Sequence, residues 1–225
     1  MVTLMFGVSS SPFLAGNTVQ THAKRKDMIE KYPMAAESVK ENLYVDDELD
    51  GGDEEEKVVQ LQQELVGFFK DGGWKLTKMA SNSKMVMMNV NPEDRRPGVV
   101  VDFDQDENEY KPATALGLLW DTNEDVLMCN VSDNVLREFE VVTKRAILAK
   151  VHSIYDVFGF FSAYTIRAKV FIQELWKLKV SWDEPVRGPI VKAFRQWESE
   201  IHHLSEIKIP RWIHYSPGSA VEVHG

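Results

Sequence analysis

Residues 42–49 read Asn-Leu-Tyr-Val-Asp-Asp-Glu-Leu, a short apolar stretch followed by three acidic residues and a leucine. The apolar and aromatic residues 43–45 favour a strand, while the Asp46-Asp47 pair favours a tight turn, so the pattern predicts a small β-hairpin. Two adjacent aspartates at such a tip can hold a divalent metal ion, because hard cations prefer carboxylate oxygen. Taken alone, the pattern fits an acidic surface turn equally well.

Helical patterns precede this hairpin. Ser11-Pro12 suits a helix cap followed by a first helical position, so we expect a helix over residues 13–31. Pro33 should end or interrupt it, and a second helical stretch should continue to about residue 41.

The segments after the hairpin alternate between helix and strand patterns. Residues 54–70 predict an amphipathic helix capped by Asp53. Residues 74–88 predict one or two strands with a polar turn at residues 81–83, and residues 115–131 predict a further hairpin.

Three long helical patterns follow, over residues 145–155, 162–180 and 190–204. Their apolar residues recur at spacings of three and four, as on the buried face of a helix. The sequence therefore predicts an α+β fold in which a small antiparallel sheet with packed helices is followed by an all-helical region.

The composition is that of an ordinary globular protein, with 44% hydrophobic and 27% charged residues in a chain of 225. A single cysteine, Cys129, excludes an internal disulfide framework and fits a reducing compartment. No apolar run approaches the length of a membrane span, and the apolar first sixteen residues lack the basic start of a signal peptide. We therefore expect an intracellular, cytoplasmic protein with no membrane partner.

The net charge of −9 argues against a general nucleic-acid binder, but the charge is unevenly distributed. Residues 24–57 contain twelve acidic and six basic residues, whereas residues 137–179 contain eight basic and four acidic ones. The first region could hold metal ions and the second a phosphate backbone, although both could also be solvated surface.

Several short blocks, in this order, resemble reverse transcriptases. They are Phe-Gly-Val-Ser-Ser-Ser-Pro-Phe-Leu-Ala at 6–15, Tyr-Val-Asp-Asp at 44–47, Gly-Trp-Lys-Leu-Thr-Lys at 73–78 with Ser-Asn-Ser at 81–83, and Leu-Gly-Leu-Leu-Trp-Asp at 116–121. The later blocks at 153–160, 168–169 and 173–176 are similar to the region after the palm in the BEL/Pao class of long-terminal-repeat retrotransposons.

The resemblance implies part of a polymerase palm followed by a helical thumb. The domains expected on this basis are a partial palm at 1–131, a helical thumb at 132–185, and the start of a connection region with a tail at 186–225. The implied function is a fragment of an RNA-directed DNA polymerase that carries out nucleotidyl transfer.

The resemblance also assigns roles to individual residues. Asp46 and Asp47 would be metal ligands and catalytic, and Lys78 would be the general acid toward pyrophosphate, with Lys84 as its rival. The remaining assignments are substrate binding by Phe6, Gly7, Ser11, Pro12 and Tyr44, primer grip by Leu116, Gly117 and Trp120, and nucleic-acid binding by Lys144, Arg145, Lys150, Arg167 and Lys169.

The implied cofactor is Mg²⁺ or Mn²⁺. Two such ions about 3.5–4 Å apart can activate a 3′-hydroxyl and stabilise the leaving pyrophosphate. The implied partners are an RNA or DNA template-primer, a deoxynucleoside triphosphate, and the fingers, ribonuclease H and integrase parts of the polyprotein, within a retroelement particle.

Reverse transcriptases use a third aspartate upstream of the Gly…Ser-Pro block, and we expect it, together with the ribonuclease H and integrase parts, to lie outside this chain. Asp102 and Asp104 follow the hairpin instead of preceding it, so we interpret them as loop residues. The isolated chain should then be inactive, and the alternative is a non-catalytic retroelement relic that at most binds nucleic acid or a partner.

Peptidase chemistry finds no support in the sequence. Retroelement polyproteins also encode an aspartic peptidase, whose active-site turn reads Asp-Thr-Gly or Asp-Ser-Gly. In this chain Asp121-Thr122 is followed by Asn123, and neither tripeptide occurs.

Overall fold

The computed structural model describes residues 8–97, 112–115 and 117–213. The chain divides into two compact units, Met1–Tyr110 and Lys111–Gly225. The predicted roles of Phe6, Gly7 and Leu116, and the loop interpretation of Asp102 and Asp104, lie outside the described residues.

The first unit is mostly helical. Its elements are α1 Ser11–Ala23, α2 Lys26–Lys31, α3 Pro33–Asn42, the hairpin strands β1 Leu43–Tyr44 and β2 Asp47–Glu48, α4 Glu55–Asp71, α5 Lys84–Met88 and a 3₁₀ turn at Pro92–Asp94.

Helices α1, α3 and α4 build the core of the first unit. The predicted helix over 13–31 is broken, because Lys24 closes α1 and Arg25 is extended before α2 begins. Pro33 opens α3 as its first residue, where its missing N–H costs no hydrogen bond. The core residues are Val19, Ala23, Met28, Ala35, Val39, Leu61, Leu65, Phe68 and Phe69.

Helix α4 confirms the amphipathic prediction. Its N-cap is Glu54, without a side-chain hydrogen bond, so the predicted capping by Asp53 is wrong. Its C-terminal turn passes into Gly73 at φ +84°, a left-handed conformation that glycine adopts without steric cost.

The strands predicted over residues 74–88 are wrong. Residues 84–88 form the short helix α5, whose cap is Ser83, with its hydroxyl accepting a hydrogen bond from the Val86 N–H at 3.2 Å. The only extended pairing there, among the residues the structure describes, is an isolated bridge between Met79 and Arg95.

The second unit contains a small sheet and a helical layer. Strands β3 Ala113–Ala115, β4 Leu118–Asp121, β5 Val126–Met128 and β6 Ile209–Pro210 form an antiparallel sheet in that spatial order. The helices are α6 Asp133–Leu136, α7 Lys144–Ser153, α8 Ser162–Lys177 and α9 Pro189–Ser199, followed by a 3₁₀ helix at Ile201–Glu206.

One hydrophobic core joins the sheet and helices of the second unit. It includes Leu118 and Cys129 beside the strands, and Ile147, Leu175 and Trp197 from α7, α8 and α9. The predicted α+β class is confirmed, but the prediction of an all-helical region after residue 131 is wrong, because β6 returns to the sheet.

The palm and thumb assignment, with limits at 131 and 185, stays a prediction. The 118–128 hairpin, which it places in the palm, packs in the core of the second unit. None of the helices that the structure describes is both long enough and apolar enough to cross a membrane.

Candidate functional site

The predicted aspartate hairpin is present in the first unit. Strand β1 pairs antiparallel with β2, with Leu43 opposite Glu48 and Tyr44 opposite Asp47. Val45 and Asp46 form the two-residue turn between them. The side chains of Asp46 and Asp47 are exposed, and neither receives a hydrogen bond or ion pair from the described part of the chain. Both carboxylates are therefore free to bind a cation.

Val45 adopts an unusual backbone conformation at the tip. Its φ is +56°, in the left-handed region. Two-residue hairpin loops need positive φ in this place, and glycine or asparagine normally supplies it. A β-branched residue there carries about 1–2 kcal/mol of strain. Such strain concentrates at functional sites, where the surrounding structure maintains it.

A buried serine lies at the base of the hairpin. Ser38 Oγ in α3 is 2.6 Å from Glu48 Oε1 and 2.5 Å from Asp50 Oδ2. One hydroxyl donates only one hydrogen bond, so the second contact needs a proton on a carboxyl group. Burial raises the pKa of Glu48, the hydrogen bond from Ser38 opposes this shift, and the charge of Asp50 adds to it.

The metal ligand set is incomplete in this part of the chain. Asp46 and Asp47 offer the hard oxygen donors that Mg²⁺ and Mn²⁺ prefer. Within residues 8–97, 112–115 and 117–213, however, no three His, Cys, Asp or Glu side chains cluster so that they could hold a metal ion. The hairpin can thus supply two of the ligands that a Mg²⁺ or Mn²⁺ ion needs.

The other predicted residues of the first unit lie outside the hairpin. Ser11 and Pro12 form the first turn of α1. Lys78 is exposed, with φ +58°, and makes no hydrogen bond or ion pair with the described residues. Lys84 opens α5. The general-acid role of Lys78 or Lys84 stays a prediction.

Of the predicted primer-grip residues, Trp120 lies in β4, on the β4–β5 hairpin, and Gly117 lies at the turn before β4. Trp120 Nε1 donates to Asp125 Oδ1 at 2.9 Å, and Arg211 binds both oxygens of the same carboxylate at 2.6 and 2.8 Å. Gly117, at the turn before β4, has φ +83°, and the Tyr155 ring covers it. The hairpin is therefore fixed by contacts on both sides. Its role in gripping a primer stays a prediction.

Replacing Gly117 with alanine should lower the free energy of unfolding of the second unit by about 1–3 kcal/mol. An added Cβ would lie 2.2 Å from the Tyr155 ring, and the positive φ would also be strained. Urea unfolding followed by circular dichroism measures the change.

Gly16 provides the matched control for that substitution. It lies inside α1 with nothing within 4 Å of a new Cβ, so alanine there should be neutral or stabilising. Equal effects at Gly117 and Gly16 would contradict the close packing of Tyr155 over Gly117.

Two lysines of the predicted nucleic-acid-binding set, both on α7, are buried. Lys144 and Lys150 are 1% and 2% exposed. The Lys144 ammonium lies 3.9 Å from the centre of the Trp176 ring and 5.5 Å from that of Trp182. Neither lysine can reach a phosphate without rearrangement, so burial weighs against their predicted nucleic-acid role.

Lys150 belongs to a buried polar network. Its Nζ donates to Val135 O at 2.9 Å and to Arg137 O, and lies 3.2 Å from Glu198 Oε1. This last contact is an ion pair without hydrogen-bond geometry, since Oε1 has no hydrogen-bond partner. Arg195 binds the other oxygen of Glu198 at 2.6 Å. Nothing in the spacing of these residues along the sequence indicates this network.

The remaining cations of the predicted nucleic-acid set are exposed. Arg145 pairs with Asp183 at 2.7 Å, and the Arg167 guanidinium beside Glu200 holds the pKa of that carboxyl below its usual value. Lys169 is exposed and makes no hydrogen bond or ion pair with the described residues. Phosphate binding by Arg145, Arg167 and Lys169 stays a prediction.

Comparison with known proteins gives one match. Residues 143–225 match the family model described as Pao retrotransposon-like RNaseH-like domain. No curated protein and no solved structure matches the chain. The matched segment begins just before α7 and includes α8, α9 and β6.

The family match indicates that the protein is derived from a retroelement, and it supports a Pao-type retrotransposon polyprotein. The expectation was a polymerase thumb and connection, with ribonuclease H outside the chain, whereas the match names an RNaseH-like domain. The BEL/Pao resemblance is thus supported at the level of the polyprotein.

Proposed function

We propose that the first unit presents the metal-binding hairpin of an RNA-directed DNA polymerase encoded by a Pao-type retrotransposon. The observation that carries the proposal is the β1–β2 hairpin, which exposes Asp46 and Asp47 at a strained two-residue turn. The family match supports the retroelement origin of the chain and does not bear on polymerase activity.

Each hairpin residue has a defined task in this proposal. Asp46 and Asp47 bind Mg²⁺ or Mn²⁺ through their exposed carboxylates, and Tyr44, which is also exposed, contacts the primer terminus. Ions held there would supply positive charge for nucleotidyl transfer. Lys78, or Lys84 in its place, donates a proton to that pyrophosphate.

The second unit would support the template-primer. Strand β4, with Gly117 at the turn before it and Trp120 within it, would contact the primer strand. Exposed cations such as Lys169 would contact phosphates without reading sequence, as is usual for backbone contacts.

The polymerase proposal predicts a large loss of primer extension when Asp46 or Asp47 is changed to asparagine. The assay uses a longer polyprotein segment that adds the preceding polymerase part to this chain. Losing one ligand should remove several kcal/mol of transition-state stabilisation, which corresponds to about a thousandfold lower rate.

Asp53→Asn is the control for this assay, since Asp53 is exposed and lies outside the hairpin. Activity of the longer segment that tolerates Asp46→Asn as well as it tolerates Asp53→Asn would refute the assignment of the ligands.

A second candidate is a non-catalytic retroelement-derived domain. It is favoured by the ion pairs of the matched segment, where Asp183, Glu198 and Glu200 are all engaged by basic side chains. Carboxylates held in this way stabilise structure and are not free for a metal ion. Under this candidate, the longer segment folds but neither extends primers nor cleaves the RNA of an RNA–DNA hybrid.

A further inference from the structure

The metal-binding hairpin is too short to hold its own position. Each strand contributes two residues to the pairing. Isolated two-stranded hairpins are marginal in water even when they are much longer. The position of the hairpin that carries Asp46 and Asp47 must therefore be set by contacts outside the hairpin.

One end of the hairpin is fixed by the chain itself. Helix α3 ends at Asn42 and β1 begins at the next residue. The Leu49 N–H donates to Asn42 O at 3.3 Å and closes the base. This hydrogen bond is long, so a further contact is needed to hold β2 against α3.

Ser38 supplies that attachment. Its hydroxyl contacts Glu48 in β2 and Asp50 just after it, at 2.6 and 2.5 Å, and the residue is 6% exposed. Ser38 lies one helical turn before Asn42, so it joins the returning strand to the helix from which the outgoing strand departs.

Helix α3 is itself anchored to the core of the first unit. Glu64 of α4 accepts hydrogen bonds from the Met34 and Ala35 N–H groups at 2.8 and 3.3 Å, at the start of α3. Gln20 of α1 donates to Val39 O at 2.7 Å. The contact from Ser38 therefore links the hairpin to three packed helices.

We propose that Ser38 is a positioning residue for the metal ligands Asp46 and Asp47. The inference rests on the proposed metal-binding role of the hairpin. Ser38 holds β2 against α3 through its contacts with Glu48 and Asp50. The carboxylates of Asp46 and Asp47 therefore stay close together on the surface. Ser38 does not touch the metal ion or the substrate.

The test uses the whole 225-residue chain and the variants Ser38→Ala and Ser38→Thr. Amide hydrogen exchange of residues 43–49 is measured by NMR without metal. Loss of one hydrogen-bonding side chain should speed exchange of these amides by about tenfold, while the amides of α4 stay unchanged. Threonine keeps the hydroxyl and should restore slow exchange.

Thr21→Ala is the matched control, because it removes a helical hydroxyl that bonds only within α1, to Asn17 O at 2.7 Å. Asp50→Asn provides a second route to the same contact if Ser38→Ala does not fold, since Asp50 is exposed. It should speed exchange of the hairpin amides by a smaller factor.

Mn²⁺ titration of the same samples separates the two proposals. Paramagnetic broadening of the hairpin amides should need about tenfold more Mn²⁺ in Ser38→Ala than in wild type, and Asp46→Asn should abolish it. If wild type and Ser38→Ala respond equally, the inference about Ser38 is overturned and the metal site stands. If the wild-type hairpin shows no broadening that depends on Asp46, the proposed function itself fails.

Discussion

Lys150→Met is expected to lower the free energy of unfolding of the second unit by about 3–5 kcal/mol, the usual cost of breaking a buried ion pair by removing one partner. Methionine keeps the length of the side chain but removes its charge. Glu198 would then retain only Arg195, and the carbonyl groups of Val135 and Arg137 would lose a buried donor. Thermal or urea unfolding followed by circular dichroism measures the loss.

The control for Lys150→Met is Lys169→Met on α8, where the lysine is exposed, and the expected change is within about 0.5 kcal/mol. The double variant Lys150→Met, Glu198→Leu should recover part of the loss, because it removes both buried charges together. A loss below about 1 kcal/mol for Lys150→Met alone would show that Lys150 reaches solvent in the folded protein.

Trp197→Ala is expected to lower the free energy of unfolding by a similar amount, about 3–5 kcal/mol. Trp197 is fully buried and stacks between Tyr164 and Phe194, with ring centres 5.0 and 5.7 Å away. Its Nε1 donates to Tyr164 O at 3.1 Å, and the Tyr164 hydroxyl donates to Trp197 O, so the pair joins α8 to α9.

Tyr164→Phe separates the hydrogen bond from the packing in this pair. Burial raises the pKa of Tyr164 well above its usual value, so the hydroxyl stays a donor at any ordinary pH. Its loss should cost about 0.5–1.5 kcal/mol. If Trp197→Ala cost no more than Tyr164→Phe, the aromatic stack would not be the main contact between α8 and α9.

Elements with a strong local signal were predictable from the sequence. The apolar spacing of α4 and α9 and the turn chemistry of the Asp46-Asp47 hairpin need no distant partner, and the structure confirms all three. The short helix α5 carries a local signal too, a serine cap at Ser83, but its apolar methionines and valine also suit a strand.

Burial of charge was not predictable from residue type. The spacing that buries Ile147 and Val151 also places Lys144 and Lys150 on the inner side of α7, three residues from Ile147 in each direction. The charge of a lysine normally assigns it to the surface. The cost of burying these charges is offset only by tertiary partners. These are two tryptophans for Lys144 and Glu198 for Lys150.

The contacts of Ser38 with Glu48 and Asp50 were not predictable from the sequence for a similar reason. Ser38 reads as an ordinary helix residue, and Glu48 and Asp50 read as part of an acidic surface stretch. Their contacts follow from how α3 leads into β1, which the local pattern does not specify.

The position of β6 has a consequence for any shortened form of this protein. Ile209 and Pro210 cover the outer side of β5, and the ion pair between Arg211 and Asp125 fastens them there. A chain cut before Ile209 would leave the backbone groups of Val126 and Leu127 open along a sheet edge. Such an edge can pair with the same edge of another molecule, so trimming these last strand residues favours aggregation.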